Sequence, residues 1–298
     1  MSNTPTIPAS AAQAVHRANA VTGECAFWDA PSGFVWWIDI QGQRVLGYAP
    51  ASGEERVFNM PSMPGMLAGR RKGGMLVGLE DGIHEFDPET GLGAHLVAVE
   101  ADNPLTRVND GKADSAGRLW FGTMDKSGRA QPFGALYRLD PDLRLTRVRD
   151  NVAVPNGIAF SPDCRRMYFA DSATHTIEAI DYDPATGALG ASRVFVKYPD
   201  GLIPDGTCVD TDGALWVAIV EGGRIERRLP DGTIDRIVEV PVSRPTMPEI
   251  GGPDGETLFV TSQRRVLSRD KLISETLAGD LLAVRIGQRA PAPHRVAF

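Results

Sequence analysis

Asn109-Asp110-Gly111-Lys112, followed by Gly117-Arg118-Leu119-Trp120-Phe121-Gly122, is a phrase that this chain repeats. A polar residue and glycine open it, an Asp/Gly turn divides it, and an apolar run closes it. It returns as Asn156-Gly157-Ile158-Ala159-Phe160-Ser161 with Met167-Tyr168-Phe169-Ala170, and as Asp205-Gly206-Thr207-Cys208 with Leu215-Trp216-Val217-Ala218. Weaker copies bring the total to six. Self-similarity at a fixed period marks one supersecondary unit stacked on itself, so this phrase decides the fold.

Trp37, Leu76, Trp120, Tyr168, Trp216 and Phe259 occupy equivalent places, at steps of 39, 44, 48, 48 and 43 residues. Each lies in a short run rich in β-branched and aromatic residues and bounded by Gly, Pro or Asp, which reads as a strand. A second alternating run follows most of them, then a Pro/Asp/Gly turn such as Asp183-Pro184-Ala185-Thr186-Gly187, then an outer strand. Four strands per unit and six units predict an all-β fold, a six-bladed β-propeller with four-stranded antiparallel blades and a central metal site. A TIM barrel would need helices between the strands, and only Ser268 to Leu277 reads as one. The sixth unit lacks an outer strand, which Val15 to Ala20 is expected to supply in preference to His294 to Phe298. Residues 1–13 are expected to form a disordered tail, and residues 14–298 a single propeller domain.

Composition narrows the function. With 42% hydrophobic and 23% charged residues, the 298-residue chain has ample material for a core. A net charge of −7 argues against nucleic-acid binding, and no apolar stretch reaches the length of a membrane span. The N-terminus has neither the basic nor the apolar region of a signal peptide, and Cys25, Cys164 and Cys208 have no paired spacing. A cytoplasmic protein is expected, either a monomer or a weak dimer.

In a propeller the innermost strands line the channel, so residues at one register approach one another near the axis. The polar residue opening that strand is Glu24, Asn109, Asn156 or Asp205 in four units, while Pro64-Gly65 and Ile250-Gly251 stand there in the other two. Converging carboxylates and carboxamides suit a hard divalent cation. The five histidines are scattered, and neither HExxH nor CxxC occurs, which disfavours an ordinary zinc site. Singly, Asn-Gly and Asp-Gly are ordinary turn pairs. Four at one register are harder to dismiss. Asp39, Asp163 and Asp171 read as turn structure, and Trp37, Trp120 and Trp216 as core.

These residues also carry a resemblance. Gly23-Glu24-Cys25-Ala26-Phe27-Trp28-Asp29, Arg107-Val108-Asn109-Asp110-Gly111-Lys112, Asn156-Gly157 and Pro204-Asp205-Gly206 look like the SMP-30/gluconolactonase/regucalcin family over residues 20 to 290. The resemblance implies an axial divalent metal, Ca²⁺, Mg²⁺, Mn²⁺, Fe²⁺ or Zn²⁺, held by Glu24, Asn156 and Asp205. It implies a sugar lactone contacted by Arg107 and Asn109. The expected activity is a lactonase acting on aldono-1,4- or 1,5-lactones, with Asp205 as the catalytic base for the attacking water. The alternatives are a non-catalytic Ca²⁺-binding propeller and a related esterase or organophosphate hydrolase. Two departures stand out: Cys25 where Gly is common, and Asp125-Lys126-Ser127-Gly128 without the acidic pair that some members place in a lid.

Overall fold

The structure, a computed structural model, describes residues 4–298. Almost every element is a strand, and the strands form six sheets of four or five. Blade 1 opens with Gly23–Asp29, blade 2 with Met66–Gly69, blade 3 with Thr106–Ala113, blade 4 with Pro155–Phe160, blade 5 with Ile203–Val209 and blade 6 with Pro245–Gly251. Each of these is the innermost strand of its sheet and packs against the innermost strand of the next blade, closing a ring around one axis. Because each blade is an antiparallel meander, all six inner strands leave the same end of the channel. This is the six-bladed propeller expected from the repeat.

Ring closure comes from the N-terminal side. Gln13–His16 is the outer strand of blade 6 and pairs antiparallel with Leu281–Arg285, two residues earlier than the Val15–Ala20 segment expected to do this. Residues 1–3 of the expected tail lie outside the described residues. From residue 4 on, the chain is docked: Thr6 and Ile7 run parallel to Ile237 and Val238 and give blade 5 a fifth strand. Main-chain bonds that composition does not reveal hold it there, among them Ile237 N–H to Pro5 O at 3.0 Å. The C-terminus instead crosses the far end of the channel, where Val296 bridges Arg70 and its N–H bonds Gly69 O at 2.9 Å. The one α-helix among the described residues, Arg269–Ser274, is capped by Ser268, inside the expected span.

The marker residues form the core between blades. Trp37 packs with Phe259 and Leu281 of blade 6, and Trp120 with Ile158 and Phe169 of blade 4. Trp216 packs with Ile250 and Leu258. All three indoles are fully buried, each removing apolar area that stabilises the interface by a few kcal/mol. The polar residues read as turn structure behave so: Asp39 accepts from Thr22 N and from Arg44, and Asp171 from Ala153 N and Val154 N. No helix among the described residues is long and apolar enough to cross a membrane.

Candidate active site

The inner strands are irregular at the register that carries the polar residues. Pairing shifts between Glu24 and Phe27, between Asn109 and Gly111, between Asn156 and Ala159, and between Pro204 and Thr207. A β-bulge bends its strand and re-aims a side chain, and bulges concentrate beside active sites for that reason. Here they follow directly on the candidate residues. Two of them need the left-handed backbone region: Gly157 adopts φ +60 and Cys25 φ +53. Glycine enters that region freely, whereas Cys25 adopts it against its Cβ.

The four register residues meet across blades in one hydrogen-bonded chain. Arg107 donates to Asn109 Oδ1 at 2.8 Å, and Asn109 Nδ2 donates to Asn156 Oδ1 at 2.8 Å. Asn156 Nδ2 then donates to Asp205 Oδ1 at 2.6 Å, and Asp205 lies within hydrogen-bond reach of Glu24. Each amide is held from a second side. Asn109 Nδ2 also reaches Pro155 O, and Asn156 Nδ2 the hydroxyl of Ser172, which itself donates to Pro204 O. Arg107, Asn109, Asn156 and Asp205 are buried, and Glu24 is half-buried.

Charge is concentrated and unbalanced. Burial first, then the charges of Asp205 and Asp110, hold the Glu24 carboxyl well above the usual carboxylate range. Burial and Asp110 push Asp205 up to about 8. Two acids in contact cannot both ionise cheaply in a low-dielectric setting. A divalent cation between them would offset that repulsion. Two carboxylates beside an amide oxygen are the donor chemistry such a cation takes, so these residues fit one.

The other two blades contribute no acid. Gly65 of blade 2 packs so closely on Val108 O that a Cβ there would collide with it. In blade 6 the register position is not Ile250-Gly251, as the spacing suggested. Pro245 pairs with Ser262 at the strand start and Pro248 with Val260 after a shift, which puts Thr246 there, bonded to Gly23 O. Three residues escaped the sequence reading. Asp110 looked like part of an Asn-Asp-Gly turn but accepts from Ile158 N at 3.2 Å, in the next blade. Ser172 positions Asn156, and Arg244 favours the charged form of Asp205. The histidines are also less scattered than they read. His84 and His95 are cross-strand partners on the outer side of blade 2, and with Asp81 their ligand atoms lie within 4.8 Å of one another.

The fold and this axial cluster can be set beside known proteins. The family model described as the SMP-30/Gluconolactonase/LRE-like region matches residues 22–264. The chain belongs to that family. Among SMP-30/gluconolactonase relatives, it is 34% identical to a 6-deoxy-6-sulfogluconolactonase of Pseudomonas putida, over 91% of this chain and 94% of the relative. It is also 34% identical to an L-arabinolactonase of Azospirillum brasilense, over 97% of both chains. A solved structure from Agrobacterium tumefaciens, described as the calcium-binding protein regucalcin, superposes with a TM-score of 0.93 at 28% identity, over 99% of each chain.

Proposed function

We propose that the protein is a divalent-metal-dependent sugar lactonase, a carboxylic ester hydrolase that opens an aldono-1,4- or 1,5-lactone to its aldonic acid. The observation that carries this reading is the joining of Asn156 and Asp205 to Asn109 and a buried Arg107 in one chain of hydrogen bonds, with Glu24 beside Asp205. Relatives named as lactonases at about a third identity support it. Glu24, Asn156 and Asp205 would hold the cation, which when bound supplies Lewis-acid polarisation of the ester carbonyl. Asp205 accepts the proton of the attacking water as the new C–O bond forms. It returns that proton to the ring oxygen as the old C–O bond breaks. Asn156, bonded to Asp205 Oδ1, fixes the carboxylate plane. Arg107 and Asn109 orient the ring hydroxyls, a positioning contribution.

A second reading is a calcium-binding propeller without catalysis, favoured by the description of the structurally similar regucalcin. A bare structural cation site gains nothing from a guanidinium beside it, so Arg107 favours the enzyme. The deciding experiment strips the protein with EDTA and follows acid release from a panel of sugar lactones before and after metals are restored. Turnover should vanish with EDTA, return with a divalent cation and be lost in Asp205→Ala. Full activity in Asp205→Ala would sink the mechanism, and cation binding without any turnover would favour the second reading. Metal titrations belong in a His95→Ala background, so that the Asp81–His84–His95 group on blade 2 does not add to the stoichiometry.

A further inference from the structure

Arg107, Arg244 and Arg265 lie near the axial acids, close enough for their charges to act on one another and on Asp205. Arg107 bonds Val108 O and Asn109 Oδ1 and rests 3.2 Å from Met124 Sδ, but meets no carboxylate among the described residues. Arg265 comes from the segment between the last inner strand pair and the helix. Its guanidinium lies against Gly128, in the loop that follows Met124, so closely that a Cβ on Gly128 would strike it. It donates to no acceptor among the described residues. Arg244 pairs with Glu221 through one terminal nitrogen, while its Nε is buried without a partner. The backbones of the last two adjoin, with Gln263 N–H bonding Arg244 O at 3.1 Å.

These charges act on one another. After burial, the nearby Arg265 is what lowers Arg107, to about 10, and Asp205 is the only charge that outweighs Arg265 at Arg244. Bringing like charges together in a partly dry pocket is uphill, and a buried N–H without an acceptor is uphill again. The loop over them holds Lys126, engaged with Glu80, and adds no free acid beyond Asp125, whose oxygens are taken by Ser127 and Gln131. Guanidinium forks match the paired oxygens of an oxyanion better than any neutral hydroxyl.

We propose that Arg265 and Arg244, with Arg107 at their edge, form a subsite for a second oxyanion on the substrate. The preferred ring is then an aldonolactone carrying a carboxylate, phosphate or sulfonate on its exocyclic carbon. This rests on the lactonase reading and names its substrate class. With the ester carbonyl at Asp205, the charged end of the ring turns outward to the guanidiniums. A simpler role, in which the arginines only balance the acids of the axial site, would give no preference between charged and neutral rings.

The test compares kcat/KM for D-glucono-1,5-lactone with that for its 6-phosphate, 6-sulfonate and 6-carboxylate analogues. At least one charged lactone should be favoured tenfold or more, chiefly through KM, and the three arms say which oxyanion fits. Arg265→Gln should lower the charged-to-neutral ratio at least tenfold, with Arg265→Lys in between. A ratio near one in the wild type, or one that Arg265→Gln leaves unchanged, overturns the proposal. If no lactone is opened, the hydrolase reading falls. Calorimetry still decides the subsite, through tighter binding of 6-phosphogluconate than of gluconate and loss of that difference in Arg265→Gln. Equal affinities overturn it. Circular dichroism of both Arg265 variants establishes that they fold.

Discussion

The two ends of the axial channel are lined by the same six strands, yet they handle charge in opposite ways. At the end where the strands begin, burial raises the pKa of Glu24, Asp110 and Asp205, and the charge of Asp110 raises Glu24 and Asp205 further. A few residues further along, Cys25, Cys208, Lys112 and Glu249 line a cavity of about 100 Å³, closed over by Ala290 to His294. There the charges are matched. Lys112 lies 3.8 Å from Glu249, which also accepts from Trp28 N, and the two thiols are held well above their usual pKa by burial. Burial without compensation is costly, and a fold tolerates it where chemistry requires it. The matched end closes the ring, and the end where three acids stand beside Arg107, Arg244 and Arg265 without a direct ion pair to them is the one to examine for activity.

Removing one charge at each end should therefore have opposite effects. Glu24→Gln takes away a carboxylate from the crowded end. Turnover should fall by about a hundredfold to a thousandfold, the range seen when a group central to electrostatic stabilisation is lost. The metal-free protein should meanwhile melt higher than wild type, because the repulsion with Asp205 and Asp110 is relieved. Lys112→Met should do the reverse, leaving Glu249 buried and unpaired at the capped end. It should destabilise by about 2 kcal/mol, below the figure for a fully buried pair because Lys112 keeps some exposure. Its kcat should stay within a few-fold of wild type. Thermal melts and lactone turnover on both variants check the pair, and a Lys112→Met enzyme that is stable but inactive would break the contrast.

The crowded end also predicts a pH dependence with a definite sign. Glu24 and Asp205 have folded-state pKa values above those of the unfolded chain. Between about pH 4 and pH 8 the folded protein therefore holds more protons than the unfolded one, and stability falls as pH rises through that window. Below it both states are protonated and the full contribution remains. In EDTA the melting temperature should drop by several degrees more between pH 5 and pH 8 in the wild type than in a Glu24→Gln/Asp205→Asn double variant. Added Ca²⁺ should shrink the wild-type drop, since it favours the ionised pair. Equal slopes in the two proteins would show that the acids are not coupled as the geometry requires.

What the sequence revealed and what it hid follow from range. The propeller was legible because each blade repeats its own turn and apolar signals within about 45 residues, and Glu24, Asn109, Asn156 and Asp205 share a place in that local phrase. Thr246 was displaced because Pro245 and Pro248 interrupt its strand and blur the count to the marker. Asp110 was hidden because an Asn-Asp-Gly string is usually a turn, and its partner, Ile158 N, belongs to another blade. Arg244 and Arg265 sit in loops outside the repeat, so no spacing relates them to Arg107. The pairing of Cys164 with His294, 3.3 Å apart, joins residues 130 positions distant and has no local signal at all.

Cys25 belongs to both ends, which makes it the finest probe of the contrast. Its backbone forms the bulge that follows Glu24, and its side chain lines the capped cavity. The left-handed conformation at φ +53 costs a non-glycine residue about 1–2 kcal/mol. Part of that is offset, since Leu67 N–H donates to Sγ at 3.0 Å and the thiol faces Leu67 O at 3.5 Å. Alanine at this position would keep the strain and lose both contacts, whereas glycine would lose the contacts and release the strain. Cys25→Gly should therefore be more stable than Cys25→Ala by about 1 kcal/mol, the reverse of the usual order of the two residues in a strand. Denaturant melts of the two variants measure that difference directly. If alanine were the more stable, the bulge would not be straining Cys25, and the reason glycine suits the position after Glu24 would have to be sought in the cavity wall instead.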